Sequence, residues 1–280
     1  DARSLKRHLA GPHDFVQTLT GATITGVVRR GKFLWMPLEI NGQHSPLALV
    51  GHLGMSGQML LRKPGAVEDK LTRVILYVES NASEQLEFRF VDQRIFGSLQ
   101  IDDLVETRDG GPGGFSAGVA EGQPWQNLIP ASAAHIARDP LDENFDVASV
   151  SARIAAKNSG IKRVLLDQGV LSGIGNIYAD EALWQAKLHY DTPGTALSKR
   201  KIAELIEISK GILERAVAAG GTSFDEQYKN VNGESGYFEV SLNAYGQTGK
   251  PCNRCGAEIR RENWMNRGSH FCPKCQKLRH

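Results

Sequence analysis

All four cysteines of the chain lie within its last 29 residues, in two pairs of the form Cys-x2-Cys. Cys252 and Cys255 form the first pair, Cys272 and Cys275 form the second, and sixteen residues separate the pairs. A two-residue spacing places both sulfurs on one side of a tight turn, and two such turns complete a tetrahedral Zn²⁺ site. Gly256 follows the first pair, where such a turn often needs a positive φ. The alternative is a pair of disulfides in an oxidising compartment. The spacing favours one structural zinc ion, because four thiolates leave no open coordination position.

The cysteine-containing segment is also strongly basic. Residues 245–280 contain eight Lys or Arg and two Glu, a net charge of +6, whereas the whole chain has a net charge of only +2. Four thiolates on one Zn²⁺ lower the charge of the segment to about +4. A small basic module on a near-neutral body is typical of a protein that binds a polyanion. The alternative is a solvated basic tail that favours solubility.

The rest of the chain divides into regions of different pattern. Residues 1–105 contain alternating, β-branched and aromatic runs between turn residues, which predict antiparallel strands in a sandwich or barrel. Residues 106–140 are rich in Gly and Pro at their start and are predicted to be a linker or flexible loop. Residues 141–244 have helical periodicity and include an amphipathic helix that Ser198 is predicted to cap. The zinc finger at 245–280 completes an α+β protein.

Glycines interrupt the helical region between residues 165 and 184, LLDQGVLSGIGNIYADEALW. Gly173 and Gly175 prevent a continuous helix, and Asn176 is predicted to cap the helix that follows. Amides freed at a helix N-terminus form a site for an anion. Because helix-breaking glycines are more often simple turns, this pattern by itself leaves both interpretations open.

Five segments together resemble the formamidopyrimidine-DNA glycosylase family. QGVLSGIGNIYADEALW is similar to its helix–two-turns–helix motif, and CNRC with NRGSHFCPKC is similar to its zinc finger. RRGKFLW, HLGMSGQ and DQRIFG resemble strands of its N-terminal domain. GGTSFDEQYKNVNGESGYF resembles the lid of the 8-oxoguanine enzymes, placed here at 222–236. The resemblance implies an N-terminal antiparallel β-sandwich, a helical domain with the helix–two-turns–helix motif, and a C-terminal zinc finger with four cysteine ligands.

The resemblance implies DNA contacts for four residues. Asn176 and Arg267 match the residues that grip the phosphate beside the damaged nucleotide from two sides. An arginine fork suits a phosphate, since it donates two parallel hydrogen bonds. Lys32 and His52 match basic strand residues that contact the DNA backbone. Without the motif, Lys32 is better interpreted as an ordinary exposed lysine.

Met55, Arg94 and Phe96 match the three residues that fill the space left by a flipped base. Met and Phe are apolar wedges of the kind that enter base steps, and Arg can hydrogen-bond the widowed base. The alternative is that Met55 and Phe96 belong to the core, but a neighbouring glycine in each segment favours a loop tip. In the lid, Thr222, Ser223 and Tyr237 are expected near the flipped base.

The implied activity is that of a bifunctional DNA glycosylase and AP lyase in base excision repair. Such an enzyme removes 8-oxoguanine and formamidopyrimidines by base flipping, imine formation and β,δ-elimination. In the family, the amine of an N-terminal Pro attacks C1′ and the following Glu is the general acid and base. The 280 residues contain no Pro-Glu pair, and Pro12, the first proline, has a tertiary amide nitrogen. The catalytic residues of the motif are therefore absent, and Lys32 is the remaining candidate amine.

Three interpretations follow. We expect the chain to be part of a longer enzyme that lacks its N-terminal segment here, because a natural loss should not discard strands that the sandwich needs. The second interpretation is a non-catalytic binder of damaged or abasic DNA, and the third is a zinc-ribbon protein of unrelated role. The expected partner is double-stranded DNA with oxidised purines or abasic sites.

The sequence also carries expectations about location. No run of eighteen apolar residues is present, so no transmembrane helix is expected. The segment DARSLKRHLAGPHDF lacks the apolar stretch of a secretory signal. Reduced cysteines and a DNA partner predict the cytoplasm of a bacterium, in association with the nucleoid, and a monomer.

Overall fold

The structure, a computed structural model, describes residues 1–55, 57–219 and 242–278. These residues fall into two units. The first unit comprises residues 1–134, and the second comprises residues 135–219 together with 242–278.

The first unit is built mainly from antiparallel strands. Its elements are a 3-10 turn (Ala2–Leu5), α1 (Gly11–Leu19), β1 (Thr23–Ile24), β2 (Val28–Arg30), β3 (Phe33–Ile40), β4 (Gln43–His52), β5 (Gly57–Arg62), β6 (Thr72–Glu79), β7 (Gln85–Asp92), β8 (Ser98–Glu106), β9 (Leu128–Pro130) and a second 3-10 turn (Ala131–Ala133). The larger sheet has the order β1-β3-β4-β8-β9, with β2 also paired to β3, and the smaller sheet has the order β5-β7-β6. Each of these strand pairs is antiparallel.

The two sheets share one apolar core, which confirms the predicted sandwich. The larger sheet contributes Leu38 of β3 and Leu99 of β8 to this core, and the smaller sheet contributes Phe90 of β7. Phe15 of α1 packs into the same cluster, and all four residues are at most 2% exposed. Alternation along each strand places every second side chain inside, so the period of two in the sequence is the origin of the two layers.

The structure corrects the prediction that residues 106–140 form a linker or flexible loop. β9 pairs with β8, and Trp125 is only 3% exposed. At Gly113 an added Cβ would lie 2.0 Å from the carbonyl oxygen of Leu128. Glycine is needed there because two backbone segments touch, so its presence reflects close packing rather than flexibility.

The second unit is helical and ends in the zinc module. Its elements are α2 (Val147–Ala155), α3 (Ile161–Leu166), α4 (Asn176–Ala186), a 3-10 turn (Gly194–Ala196), α5 (Lys199–Ala218), β10 (Arg260–Trp264) and β11 (Arg267–Phe271). The Ser198 side chain accepts a hydrogen bond from the Lys201 amide, so the predicted cap of α5 is confirmed. Asp146 caps α2 in the same way. None of the helices in the described ranges is both long enough and apolar enough for a bilayer crossing.

α4 is the central helix of the second unit. Its Ala179, Ala182 and Leu183 are at most 2% exposed and pack in one cluster with residues of α2, α3 and α5. A helix enclosed in this way has almost no solvent-facing side, so any charged residue on it needs a buried partner.

Candidate nucleic-acid interface and zinc centre

The four cysteine sulfurs converge on one point. The Sγ atoms of Cys252, Cys255, Cys272 and Cys275 all lie within 4.8 Å of one another, with 3.5 Å between Cys255 and Cys272. Zn–S bonds of about 2.3 Å in a tetrahedron require sulfurs about 3.8 Å apart. Gly256 has φ +71°, as the predicted turn requires. The donor set and its size fit one structural Zn²⁺, and they exclude disulfides because no two sulfurs are bonded.

The environment of the thiols explains why a cation belongs among them. Burial raises the pKa of the Cys252 thiol, but hydrogen bonds from the Arg254 amide, the Trp184 indole and the Cys255 amide outweigh it and bring the pKa to about 6. At Cys275, burial and the neighbouring thiols raise the pKa to about 12. Thiolates this close together repel one another, and a divalent cation among them would hold all four in the ionised form.

Trp184 of α4 attaches the zinc centre to the helices. Its indole N–H donates to Cys252 Sγ at 3.4 Å, and its side chain belongs to the same apolar cluster as Ile259. The Arg254 guanidinium lies 3.9 Å from the ring centroid and donates to the carbonyl oxygen of Trp184. The first cysteine turn is therefore fixed against the end of α4.

The β10–β11 hairpin presents Arg267. Trp264 pairs with Arg267 across a two-residue turn, in which Met265 has φ +45° and Asn266 has φ +58°. Two successive positive φ angles are characteristic of the tight turn that matches the twist of paired strands. Arg267 is exposed at the end of this turn.

Asn176 and Arg267 are brought together, as the sequence predicted for two groups on one surface. The Asn176 Nδ2 donates to the carbonyl oxygen of Gly268 at 3.2 Å. The structure corrects one detail, because Gly175 is the N-cap residue of α4 and Asn176 is its first helical residue, without a capping side-chain bond. The Asn176 Oδ1 is buried and has no hydrogen-bond partner among the described residues.

A buried ion pair supports this junction. Lys162 of α3 is 0% exposed, and its ammonium donates to Asp180 Oδ1 at 2.6 Å, to the Gly268 carbonyl at 3.0 Å and to Ser269 Oγ at 2.7 Å. Asp180 Oδ2 accepts from the His270 amide at 2.9 Å and lies 3.0 Å from His270 Nδ1. All three donors of the ammonium are satisfied, and α3, α4 and β11 are tied together directly behind Arg267. Burial lowers the pKa of Lys162 despite the attraction of Asp180.

Glu181 is a second buried charge of α4. Its Oε1 accepts from the amides of Ala244 at 2.8 Å and Tyr245 at 2.9 Å, and its Oε2 accepts from the Asn243 amide at 2.9 Å. Three backbone N–H groups on one carboxylate form a strong, charge-assisted anchor. The chain is thereby held at the start of the zinc module.

In the first unit, Met55 and Phe96 lie on loops rather than in the core, as their neighbouring glycines predicted. Met55 is 62% exposed and Phe96 is 54% exposed. A Cβ on Gly54 would lie 2.7 Å from the amide nitrogen of Gly97, so the two loops touch through backbone. Arg94 is exposed on the same loop as Phe96. The three predicted residues are thus carried by two adjoining loops.

The loop between β7 and β8 is held in one shape by Asp92. This residue is 0% exposed, and its carboxylate accepts from the Gly97 amide at 2.8 Å and the Arg94 amide at 3.2 Å. Ile95 has φ +54°, a conformation that β-branched residues rarely adopt. Its carbonyl oxygen accepts from Lys6 Nζ at 2.7 Å. Strain of this kind persists only where the surroundings fix the backbone, so the loop is preorganised.

Lys32 and His52 occupy different settings in the first unit. Lys32 is exposed in the turn between β2 and β3, and not within a strand as predicted. His52 ends β4, and its ring packs edge-to-face with Phe33, with 6.0 Å between the ring centroids. Burial, followed by the charges of Arg7 and Lys6, lowers the pKa of His52. These surroundings favour the neutral form of the His52 imidazole. The lid residues Thr222, Ser223 and Tyr237 lie outside the described residues.

The sequence predictions omitted the buried charges. Lys162, Asp180 and Asp92 were not singled out, although they fix the surfaces on which the predicted residues lie. A signal was present in α4, since Asp180 and Glu181 are the two charged residues of a mostly apolar helix. The partners of these carboxylates could not be identified, because Gly268 is 106 residues from Lys162 in the chain.

Comparisons with known families cover most of the chain. Residues 1–99 match the formamidopyrimidine-DNA glycosylase N-terminal domain, and residues 136–227 match the formamidopyrimidine-DNA glycosylase H2TH domain. Residues 249–278 match the zinc finger found in FPG and IleRS. The three matches follow one another in the order of the β unit, the helices and the zinc module.

Similar proteins extend over nearly the full length. Formamidopyrimidine-DNA glycosylase of Leifsonia xyli is 55% identical over 280 residues, covering 99% of this chain and 90% of that protein. The protein of the same name from Kineococcus radiotolerans is 48% identical, covering 99% and 88%. Lactococcus lactis Fpg, solved in complex with DNA containing an abasic site, superposes with a TM-score of 0.74 at 28% identity, covering 99% and 90%. With its β-sandwich, its helical unit and its four-cysteine zinc centre, the chain belongs to the formamidopyrimidine-DNA glycosylase family.

Proposed function

We propose that the protein is a DNA glycosylase of base excision repair, which binds double-stranded DNA containing oxidised purines or abasic sites. The observation that carries the proposal is the junction of Asn176 with the Arg267 hairpin, through the Gly268 carbonyl. A helix N-terminus and an exposed guanidinium are both suited to a phosphate. Solved relatives hold DNA with an abasic site or carbocyclic 8-oxo-G, which supports this class of ligand.

The proposed phosphate clamp consists of Asn176 and Arg267. The Asn176 amide donates to Gly268 in the structure, and its Oδ1 has no partner among the described residues. The Asn176 Nδ2 carries a second N–H, which can donate to a phosphate oxygen while the bond to Gly268 is kept. Arg267 makes no side-chain hydrogen bond or ion pair with another described residue, so its guanidinium is available to the same phosphate.

In the first unit we assign Met55, Arg94 and Phe96 to the space that a flipped base vacates. Their two loops touch, and the Asp92 carboxylate holds one of them in place. Exposed apolar side chains on a rigid loop can replace the stacking that the extruded base loses, and a guanidinium can bond to the widowed partner base. Lys32 and His52 are assigned to nearby backbone phosphates. Thr222, Ser223 and Tyr237 are assigned to the flipped base on sequence grounds.

The proposed chemistry is base release followed by AP lyase elimination through an amine. The amine attacks C1′ and expels the base, and the resulting iminium acidifies the 2′ hydrogen so that the phosphates leave in turn. The 280 residues contain no Pro-Glu pair, so the attacking amine is not assigned to one of them. A location with the bacterial nucleoid and a monomeric state stay predictions.

Two assays test the proposal. Borohydride trapping on an 8-oxoguanine duplex should leave a covalent adduct when the protein tested carries an N-terminal Pro-Glu pair. Arg267→Ala should weaken duplex binding irrespective of sequence and reduce the salt slope of log K by about 1. Arg200→Gln, another exposed arginine of the second unit, is the matched control. An enzyme that leaves no adduct and releases no base, or an Arg267→Ala slope equal to that of the control, would refute the proposal.

A further inference from the structure

An open groove of about 590 Å³ lies in the second unit beside the β10–β11 hairpin. Arg163 of α3 and Lys157, which precedes α3, line one part of it. Trp264, Met265 and Arg267 of the hairpin line another part. The groove therefore begins at the arginine of the proposed phosphate clamp and continues along α3.

The groove is electropositive. Arg163 and Arg267 are exposed, and neither side chain makes a hydrogen bond or ion pair with another described residue. Lys157 Nζ lies 3.8 Å from Asp167 Oδ2, and both side chains are 46% exposed. Three cations and one carboxylate leave a net charge of +2 on the lining. Two guanidiniums that share a groove repel each other, so an anion between them is stabilised.

The hairpin tip supplies an apolar rim. Met265 is 56% exposed in a left-handed conformation, at a turn position where Asn is the usual residue. Val164 and Leu166 of α3 add apolar lining. A rim of this kind suits the face of a deoxyribose and offers nothing to a hydrated inorganic ion. The combination of cations and apolar side chains matches a sugar–phosphate backbone.

We propose that this groove is a second phosphate subsite, in which Arg163 and Lys157 bind the DNA backbone next to the phosphate held by Arg267. The inference rests on the proposed function. Phosphates on one strand recur every 3.4 Å along the helix axis, so a strand that leaves Arg267 along the groove presents its next phosphates to α3. Lys157 exchanges its long, solvent-exposed contact with Asp167 for a phosphate oxygen, at little cost.

The test uses the zinc-loaded 280-residue chain and duplexes with an abasic-site analogue. Arg163→Gln, Lys157→Gln and the double variant are compared with Arg200→Gln, which removes the same charge as Arg163→Gln outside the groove. Each groove substitution should reduce the salt slope by about 0.9 and weaken binding about 5- to 10-fold at 0.1 M salt. Arg163 and Lys157 are exposed, so the melting temperature should be unchanged.

Trimmed duplexes locate the effect. One duplex is cut one nucleotide from the lesion on its 5′ side, and the other is cut one nucleotide from the lesion on its 3′ side. On only one of these two duplexes should the double variant bind as tightly as the unchanged protein. Inorganic phosphate at equal ionic strength should compete no better than chloride, and a single strand of the same sequence should show a smaller effect of the substitutions. Persistence of the loss on both trimmed duplexes would indicate a general charge effect and overturn the subsite, as would selective competition by inorganic phosphate.

Failure of this inference can be separated from failure of the proposed function. If the unchanged protein binds duplex and Arg267→Ala lowers the slope, but Arg163→Gln behaves like Arg200→Gln, the groove proposal alone is wrong. If the unchanged protein does not bind duplex with a steep salt dependence, both proposals are wrong.

Discussion

Substitution of Lys162 by Met should destabilise the second unit severely. Lys162 is 0% exposed and Asp180 is 1% exposed, with 2.6 Å between the ammonium and the carboxylate. Removing the lysine leaves Asp180 charged and buried, with only the His270 donors for compensation. Loss of one partner of a buried pair costs about 3–5 kcal/mol. For a unit of this size, that loss lowers the melting temperature by roughly 10 °C.

The assay is thermal unfolding of the zinc-loaded chain, followed by circular dichroism. The transition of the second unit is identified by its sensitivity to a zinc chelator. Lys162→Met combined with Asp180→Asn should recover most of the loss, because the asparagine Oδ1 still accepts from the His270 amide while the unpaired charge is gone. Burial lowers the pKa of Lys162 despite Asp180, which means that desolvation outweighs their attraction. The double variant, with no charge at either position, should therefore be nearly as stable as the unchanged chain.

Lys201→Met is the matched control. The Lys201–Glu204 pair has a similar length of 2.9 Å, but its side chains are 21% and 49% exposed. Water screens this pair, so its loss should cost no more than about 0.5 kcal/mol. A Lys162→Met variant that melts within about 2 °C of the control would refute the reasoning, since it would mean that the carboxylate is solvated or protonated.

Three further outcomes are expected. Removal of zinc by a chelator should shift the fluorescence of Trp184 to longer wavelength, because its indole loses the Cys252 sulfur and becomes solvated. An unchanged spectrum would contradict the attachment of the zinc centre to α4 through Trp184. Asp92→Ala should leave two loop amides unsatisfied and cost about 1–3 kcal/mol of stability. Hydrogen exchange at residues 94 and 97 should accelerate, whereas Asp92→Asn, which keeps an acceptor, should lose less stability. The pKa of His52 is lowered in the folded protein, so the contribution of the neutral imidazole to stability is present above pH 6.5 and is lost as the pH falls below it. The His52→Gln variant should therefore lose less stability than the unchanged chain as the pH falls below about 6.5.

Local features of the chain were predictable because their causes are local. The two-residue spacing of the cysteines fixes the sulfurs of each pair on one turn, and the helix cap at Ser198 depends on residues three positions apart. Exposure of Met55 and Phe96 followed from their neighbouring glycines. The misassigned region at 106–140 shows the limit of this reasoning, since glycine serves both for flexibility and for close contact of backbone.

The sequence by itself determined the zinc ligands, the antiparallel strands and the family, because cysteine spacing, strand alternation and each family motif are carried by residues close together in the chain. Only the tertiary structure decided how Arg267 is held. The Lys162 ammonium reaches Gly268 and Ser269 across more than a hundred residues of chain, and no periodicity encodes a partner at that distance. A buried charge is tolerated only where the fold supplies its counter-charge and hydrogen-bond acceptors, so the folded chain alone reveals which partners it has.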